Sequence, residues 1–436
     1  IQSGALKEAD RNDLLASMTD EVAELVLHHN YDQTGALSVA EASAEVDLDS
    51  HERMMERLEA KSILDRSVEG LPKPEEIRVL HETHQGLTRP ELAVLMAYAK
   101  ITLFDEIVDS DIPDDPFLEG ELYAYFPEPL HVYADAMEAH RLRREIIATR
   151  LANEMINLGG ITFVHRVKER ANAETATIAQ AFIVAKELFG LTPLLKRIDA
   201  LDNKIPANVQ TSLRIDLINA LRRQVFWLAK TRPGNASIED LVDQYGDGIN
   251  LLMSCGNEIL SPFEQDLLSE RIEGYVADGA PQDIAKDVAL VLASTSATDI
   301  VDLAQQEDKD VRSIALLFAA VGEGFQFDRL RHAALTLELD QHWDRLAVRG
   351  IVETLLGQQF MLVSVMSKRM SDERFSNYDA AKSDVEGFLK HHETSYKKFE
   401  GLLSEIEQAG AWSFAKLVLI ANAIRSFIDE SDLRTV

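Results

Sequence analysis

Four aspartates crowd the stretch VDSDIPDDPF: Asp109, Asp111, Asp114 and Asp115. Clustered carboxylates are what a hard divalent cation takes as ligands. The spacing does not fit an EF-hand loop, which needs acidic positions 1, 3 and 5, then Gly and a distal Glu. Nor can one helix carry them, because Pro113 and Pro116 would break it. A solvated acidic loop is the favoured reading. His28-His29 reads as a helix end, where histidine suits the dipole, since no further zinc ligands stand at workable spacing. His81 and His84 are three apart, not the four of an H-E-x-x-H helix, so a surface or capping role is expected. Cys255, the single cysteine, sits in LLMSCGNEIL and reads as a small buried hydrophobe rather than a reactive thiol. Gly159-Gly160 follows no strand and belongs to no G-x-G-x-x-G, so it reads as a helix stop. No phosphate loop, G-x-S-x-G or cysteine cluster is present. Residue spacing therefore assigns no catalytic, cofactor-binding or metal-binding residue.

Bulk properties narrow the classes. The formal net charge is -30, which disfavours nucleic acid and anionic membrane as partners. Hydrophobic content of 46% supplies a sizeable core. One cysteine permits no internal disulfide, and no signal peptide or transmembrane run is read, which points to the cytoplasm. The chain begins with Ile1 rather than Met, and is expected to be part of a larger polypeptide.

The elements that would position any chemistry read as helices throughout. The clearest start is GLTRPELAVLMAYAKITLFDEI, residues 86–107. Thr88 and Glu91 form a capping box, with Pro90 in the first turn. Leu92 to Ala99 carries no charge, and apolar residues on several faces predict a buried, central helix. Residues 1–46 read as helices, with Leu14, Leu15, Met18, Val22, Leu25, Val26 and Leu27 at helical spacing and a second capping box at Ser38 and Glu41. Ser50 opens a charged helix whose apolar side is Met54, Met55, Leu58 and Ile63. From His131 to Leu158 runs a long helical pattern bearing Arg141, Arg143, Arg144 and Arg150. Those arginines either pair with neighbouring acidic helices or dock on an acidic surface elsewhere. A helix around 171–191 is ended by Gly190 and Pro193, and another covers 207–231. Ser237, Ser261-Pro-Phe-Glu264 and Pro281 open further helices. From Asn377 to Leu433 two helices are expected, the first polar and the second apolar. No strand run, β-hairpin or repeat is found. The expected fold is all-α, a multi-helix bundle of two packed subdomains, 1–232 and 233–436, divided at Pro233-Gly234.

Several stretches resemble the very large bacterial NAD-specific glutamate dehydrogenases: residues 10–31, 86–103 and 140–169, and the following AETATIAQAFIVAKELFGL. The resemblance covers the first half of the chain. It implies a parent several times longer, with NAD as cofactor and a catalytic core just before this chain. The parent reaction would be oxidative deamination of L-glutamate to 2-oxoglutarate and ammonium. The family's catalytic lysines, substrate-binding residues and dinucleotide glycines have no counterpart here, so none is transferred and the fragment itself is expected to hold no cofactor. The implied partners are the upstream core and other copies of the parent. A free-standing helical scaffold is the alternative, and a metal-dependent helical enzyme using Asp109–Asp115 a third reading.

Overall fold

The computed structural model describes residues 6–231, 236–337, 342–369 and 375–430. They form 23 α-helices, with short 3-10 turns and no strand among them, so the fold is all-α. Contacts divide the chain into two compact units, Ile1–Gln244 and Tyr245–Val436. Pro233-Gly234 lies outside the described residues.

The first unit begins with α1 (Arg11–Ser17) and the long α2 (Thr19–Ala42). Then come α3 (Leu48–Ala60), α4 (Arg66–Glu69), α5 (Pro74–Glu82) and α6 (Arg89–Val108). A connector holding α7 (Glu119–Tyr125) and α8 (Ala134–Glu138) leads to α9 (Arg143–Gly159). The unit continues through α10 (Phe163–Ala171), α11 (Thr175–Leu188), α12 (Leu191–Asp199) and α13 (Ala207–Thr231).

The start of α6 is built as its sequence indicates. The Glu91 carboxylate accepts from the Thr88 backbone N–H at 2.6 Å and from its hydroxyl at 2.7 Å. One broad face of α6 is buried, through Leu92, Leu95, Met96, Ala99, Leu103 and Ile107. Burial all round is not observed: Ile101 is 56% exposed, and Tyr98 donates to Glu69 at 2.7 Å. The central helix is instead α11, where every residue from Ile178 to Lys186 is buried. It packs on α13, α6, α10 and α12. Its one buried charge, Lys186, donates to both oxygens of Glu154 at 2.9 and 3.0 Å. Burial works against that ammonium, and the Glu154 carboxylate outweighs it, so the Lys186 pKa is raised.

Ser38 and Glu41 do not open a helix, because α2 runs through them. Both instead receive Arg89 from the first turn of α6. Its Nη1 donates to Ser38 Oγ at 3.2 Å and Glu41 Oε2 at 2.9 Å, and its Nη2 to Thr34 O at 3.1 Å. Just before α6, Gly86 lies against the chain after α2. A Cβ there would stand 2.3 Å from the Ala44 carbonyl carbon and 2.5 Å from Glu45 N. Both are backbone atoms and cannot swing away. Gly86→Ala is therefore expected to destabilise the first unit by about 1–3 kcal/mol, read as a lower melting temperature in circular dichroism.

Other boundaries also differ from expectation. The charged helix α3 starts at Leu48 and stops before Ile63, which is exposed. The run from His131 to Leu158 is broken by a turn at 139–142. Local bonds replace helix bonds there: His140 Nδ1 takes the Leu142 N–H at 3.1 Å, and the His131 ring lies 3.0 Å from the Tyr123 and Phe126 carbonyls. Pro193 sits in the first turn of α12 and so opens a helix rather than ending one. Gly190 and Gly160, both at positive φ, do mark stops.

Helix α14 (Ile238–Cys255) carries the chain into the second unit. There follow α15 (Pro262–Ala277), α16 (Gln282–Ala293), α17 (Ala297–Gln306), α18 (Val311–Gly324) and α19 (Phe327–Leu335). The unit closes with α20 (His342–Arg369), α21 (Tyr378–His391), α22 (Glu393–Gln408) and α23 (Phe414–Glu430). The centre is α18, buried at every residue from Ser313 to Gly322. At its C-terminal end the Phe325 ring meets Phe427 at 5.0 Å, Phe399 at 5.5 Å and Tyr396 at 5.6 Å. This aromatic knot also explains why the polar run after Asn377 is two helices, not one. The chain turns at His392, whose ring packs on Phe388 at 4.7 Å and Phe427 at 6.1 Å. The last pair, α22 and α23, pack together as a hairpin.

By length and composition the stretch Trp343–Arg369 of α20 is apolar enough to cross a bilayer, although no transmembrane run is read from the sequence. Its inner side buries Leu355, Leu362, Val363 and Met366 within the second unit. Gln358 and Gln359 there donate to the Ala421 and Phe318 carbonyls at 2.9 and 2.8 Å. Only 33% of the apolar window is buried, so the core accounts for one face of α20 and not for all of its apolar content.

Candidate functional site

The acidic stretch and the arginines come together in the first unit, on α9 and the loop after α6. The Arg144 guanidinium pairs with Asp114 and donates to the Val108 and Ser110 carbonyls, both at 2.8 Å. Arg143 donates to the Pro113 carbonyl at 3.3 Å. Arg150 reaches Glu121 on α7 at 2.9 Å. Asp115 accepts the Phe117 N–H at 2.9 Å and so caps the next turn. Three of the four arginines thus bind neighbours in their own unit, as the pairing alternative expects. Arg141 is exposed. The aspartates are not simply solvated: Asp114 closes a positively charged clasp and Asp115 caps. The physical role is mechanical, holding the irregular connector against α9.

The histidines are dispersed. His28 and His29 lie in mid-helix on α2, not at an end. His28 faces Asp32 at 3.6 Å, and His29 lies 2.6 Å from Gln33. His81 pairs with Asp49 at 3.2 Å and His84 with Glu45 at 3.2 Å. Among the described residues no group of three or more His, Cys, Asp or Glu is placed to hold a metal ion. Cys255 ends α14 and is only half-buried.

Beside α6 lies a cavity of 210 Å³ with an apolar floor from Leu58, Leu103 and Ile156 and a charged mouth of Arg57, Lys61, Glu106 and Lys168. Its cations are partly spent. Lys168 pairs with Glu106, which also takes the Thr175 hydroxyl at 2.6 Å. Burial opposes ionisation of Glu106, but these bonds win and lower its pKa. The Arg57 guanidinium lies 3.3 Å from His165 Nδ1.

The second unit holds a buried polar cluster that sequence reading missed. The capping box is as expected: Glu264 N–H donates to Ser261 Oγ at 3.3 Å, and Ser261 N–H to Glu264 Oε2 at 3.1 Å. The Ser261 hydroxyl also donates to Asp328 Oδ2 at 2.8 Å. Arg331 pairs with Asp328 at 2.5 Å and donates to Gln359. Burial raises the Glu264 pKa to about 7, and the neighbouring Asp328 pushes the same way. The Asp328 pKa is raised as well, by burial, against the pull of Arg331. Gly322 admits the cluster, since a Cβ there would lie 2.7 Å from Asp328 and 2.9 Å from Gln359. Only proximity across α15, α19 and α20 assembles it, and no local pattern signals it.

These polar groups serve one class of protein: an all-helical region whose charges tie its own helices together. The family profile described as "Glutamate dehydrogenase, C-terminal" matches residues 84–426. That described as "Bacterial NAD-glutamate dehydrogenase, catalytic domain" matches residues 1–40. An NAD-specific glutamate dehydrogenase of Halomonas elongata is 35% identical over 98% of this chain and 26% of its own length. One from Pseudomonas aeruginosa is 32% identical over 97% of the chain and 26% of its own length. One from Mycobacterium tuberculosis is 29% identical over 82% of the chain and 22% of its own. The chain belongs to the bacterial NAD-specific glutamate dehydrogenase family and corresponds to its C-terminal region. It spans about a quarter of the length of the relatives it matches. The match runs far past the half of the chain that carried the resemblance. It also corrects one expectation: the chain does not start beyond the core, because residues 1–40 match the catalytic-domain profile itself.

Proposed function

We propose that this chain is the non-catalytic C-terminal helical region of an NAD-dependent glutamate dehydrogenase and supports its catalytic core or assembly. The whole enzyme would convert L-glutamate, NAD and water to 2-oxoglutarate, ammonium and NADH in the cytoplasm, working as a homo-oligomer. Hydride would pass to the nicotinamide in the core, with protein side chains there moving protons.

The observation that carries this reading is the division of the matches: the C-terminal profile takes residues 84–426, and the catalytic profile takes only residues 1–40. The polar clusters support it, because each is closed by its own unit's side chains. The test is an assay of the 436-residue chain with glutamate and NAD, following NADH absorbance. No turnover is expected, and turnover would refute the reading. The full-length enzyme lacking residues 84–426 is expected to lose thermal stability or its oligomeric state.

A further inference from the structure

The apolar stripe at the start of the chain is real, but its unit leaves most of it uncovered: Met18 is buried, and the residues that follow it are not. Leu15, Val22, Leu25, Val26 and Leu27 are all exposed, Leu27 by 68%. From Thr19 to Asn30 no residue of α2 is buried. The other half of the same helix is docked: Ala36 and Val39 are buried, and α2 packs on α6, α9 and α13. So α2 is half core element and half exposed arm, held to its unit where Glu21 accepts the Glu128 N–H at 2.8 Å. A solvated helical arm of that length is marginal in water on its own. Val22, Leu25 and Val26 share one side of it, in line with Leu15 on α1, and form an unfilled binding face rather than scattered surface residues, whereas Leu27 points to the opposite side.

The occupant is indicated by the two profile matches. The catalytic-domain match ends at residue 40, inside α2, and includes the whole arm. The C-terminal match begins only at residue 84. By sequence the arm belongs to the catalytic domain, and by packing its far half belongs to the helical unit. We infer that Leu15, Val22, Leu25 and Val26 seat against the rest of the catalytic domain. Helix α2 is then one continuous strut joining that domain to the C-terminal region. This rests on the proposed function above. A strut without a break transmits displacement along its axis, which a flexible linker would not.

Hydrogen exchange tests it, comparing the arm amides of residues 19–30 in the full-length enzyme and in the 436-residue chain. The arm is expected to exchange at least tenfold more slowly in the full-length enzyme. Leu25→Glu with Val26→Glu in the full-length enzyme should abolish that protection. Val68→Glu, at a residue exposed on the first unit, should leave it intact. Equal exchange in the two proteins overturns the proposal, as does protection that survives the double substitution. Protection already present in the 436-residue chain and lost on dilution would mean that a second copy covers the stripe, and also overturns it. Glutamate-dependent NADH formation by the unmodified full-length enzyme is read separately. Its absence would sink the proposed function, whatever the arm does.

Discussion

Leu95→Asp is expected to unfold the first unit, while Ile101→Asp, less than two turns along the same helix, is expected to leave it folded. Leu95 is fully buried on the face of α6 that also carries Leu92, Met96 and Ala99. A carboxylate there has no cation within its own face to pair with. Burying an unpaired charge costs far more than deleting a side chain: Leu→Ala at such a site loses about 2–5 kcal/mol from transfer and cavity alone. The charged variant should lose that much or more, which is comparable to the whole stability of many domains. Ile101 is 56% exposed, so its aspartate stays hydrated and the change should stay within about 0.5 kcal/mol. Thermal melts followed by circular dichroism check both. Two similar melts would mean that α6 does not carry the packing assigned to it.

That contrast also marks how far the sequence could be read. Charge-free composition from Leu92 to Ala99 predicted burial all round, but composition has no phase. Ile101 and Tyr98 look as apolar as Leu95 and only the fold separates them. Local capping chemistry was legible where both partners sit within one turn, as at Thr88 with Glu91 and Ser261 with Glu264. The same pattern at Ser38 and Glu41 failed, because its partner is Arg89, far along the chain. The arginines of α9 were legible as a cluster but not in their role, since Val108, Ser110 and Asp114 become neighbours only when α6 and α9 pack. The stripe from Leu15 to Leu27 shows the reverse limit. Periodicity says that a face will be covered, not which body covers it. The cluster of Ser261, Glu264, Asp328, Arg331 and Gln359 was beyond reach for the same reason, as its members come from three helices.

That cluster carries the second large effect, a pH dependence of opposite sign to the usual acid denaturation. Glu264 titrates at about 7 in the fold against an ordinary 4.5, mainly because it is buried and next because Asp328 faces it. Between those values the folded unit keeps a proton that the unfolded chain has released. Its contribution is therefore fully present below the unfolded pKa and is lost as pH rises through 4.5 towards 7. Asp328, also raised, adds in the same direction. Glu264→Gln keeps an acceptor for the Ser261 N–H but cannot ionise. Its stability relative to wild type should grow from pH 5 to pH 8, by roughly 1–3 kcal/mol. The first unit supplies an internal contrast. Burial lowers the His51 pKa to about 4 from 6.5, so its contribution is present above 6.5 and is lost as pH falls through that window. His51→Gln should flatten the acid side of the first unit's melt, where Glu264→Gln flattens the neutral side of the second's. Arg331→Met sharpens the case. It removes the only cation bonded to Asp328 among the described contacts and strands two buried carboxyls. The loss should be about 3–5 kcal/mol at pH 8 and smaller at pH 5, where Glu264 holds its proton. An equal loss at both pH values would show that Arg331 acts by packing on Phe318 and Gln359, and not by balancing those charges.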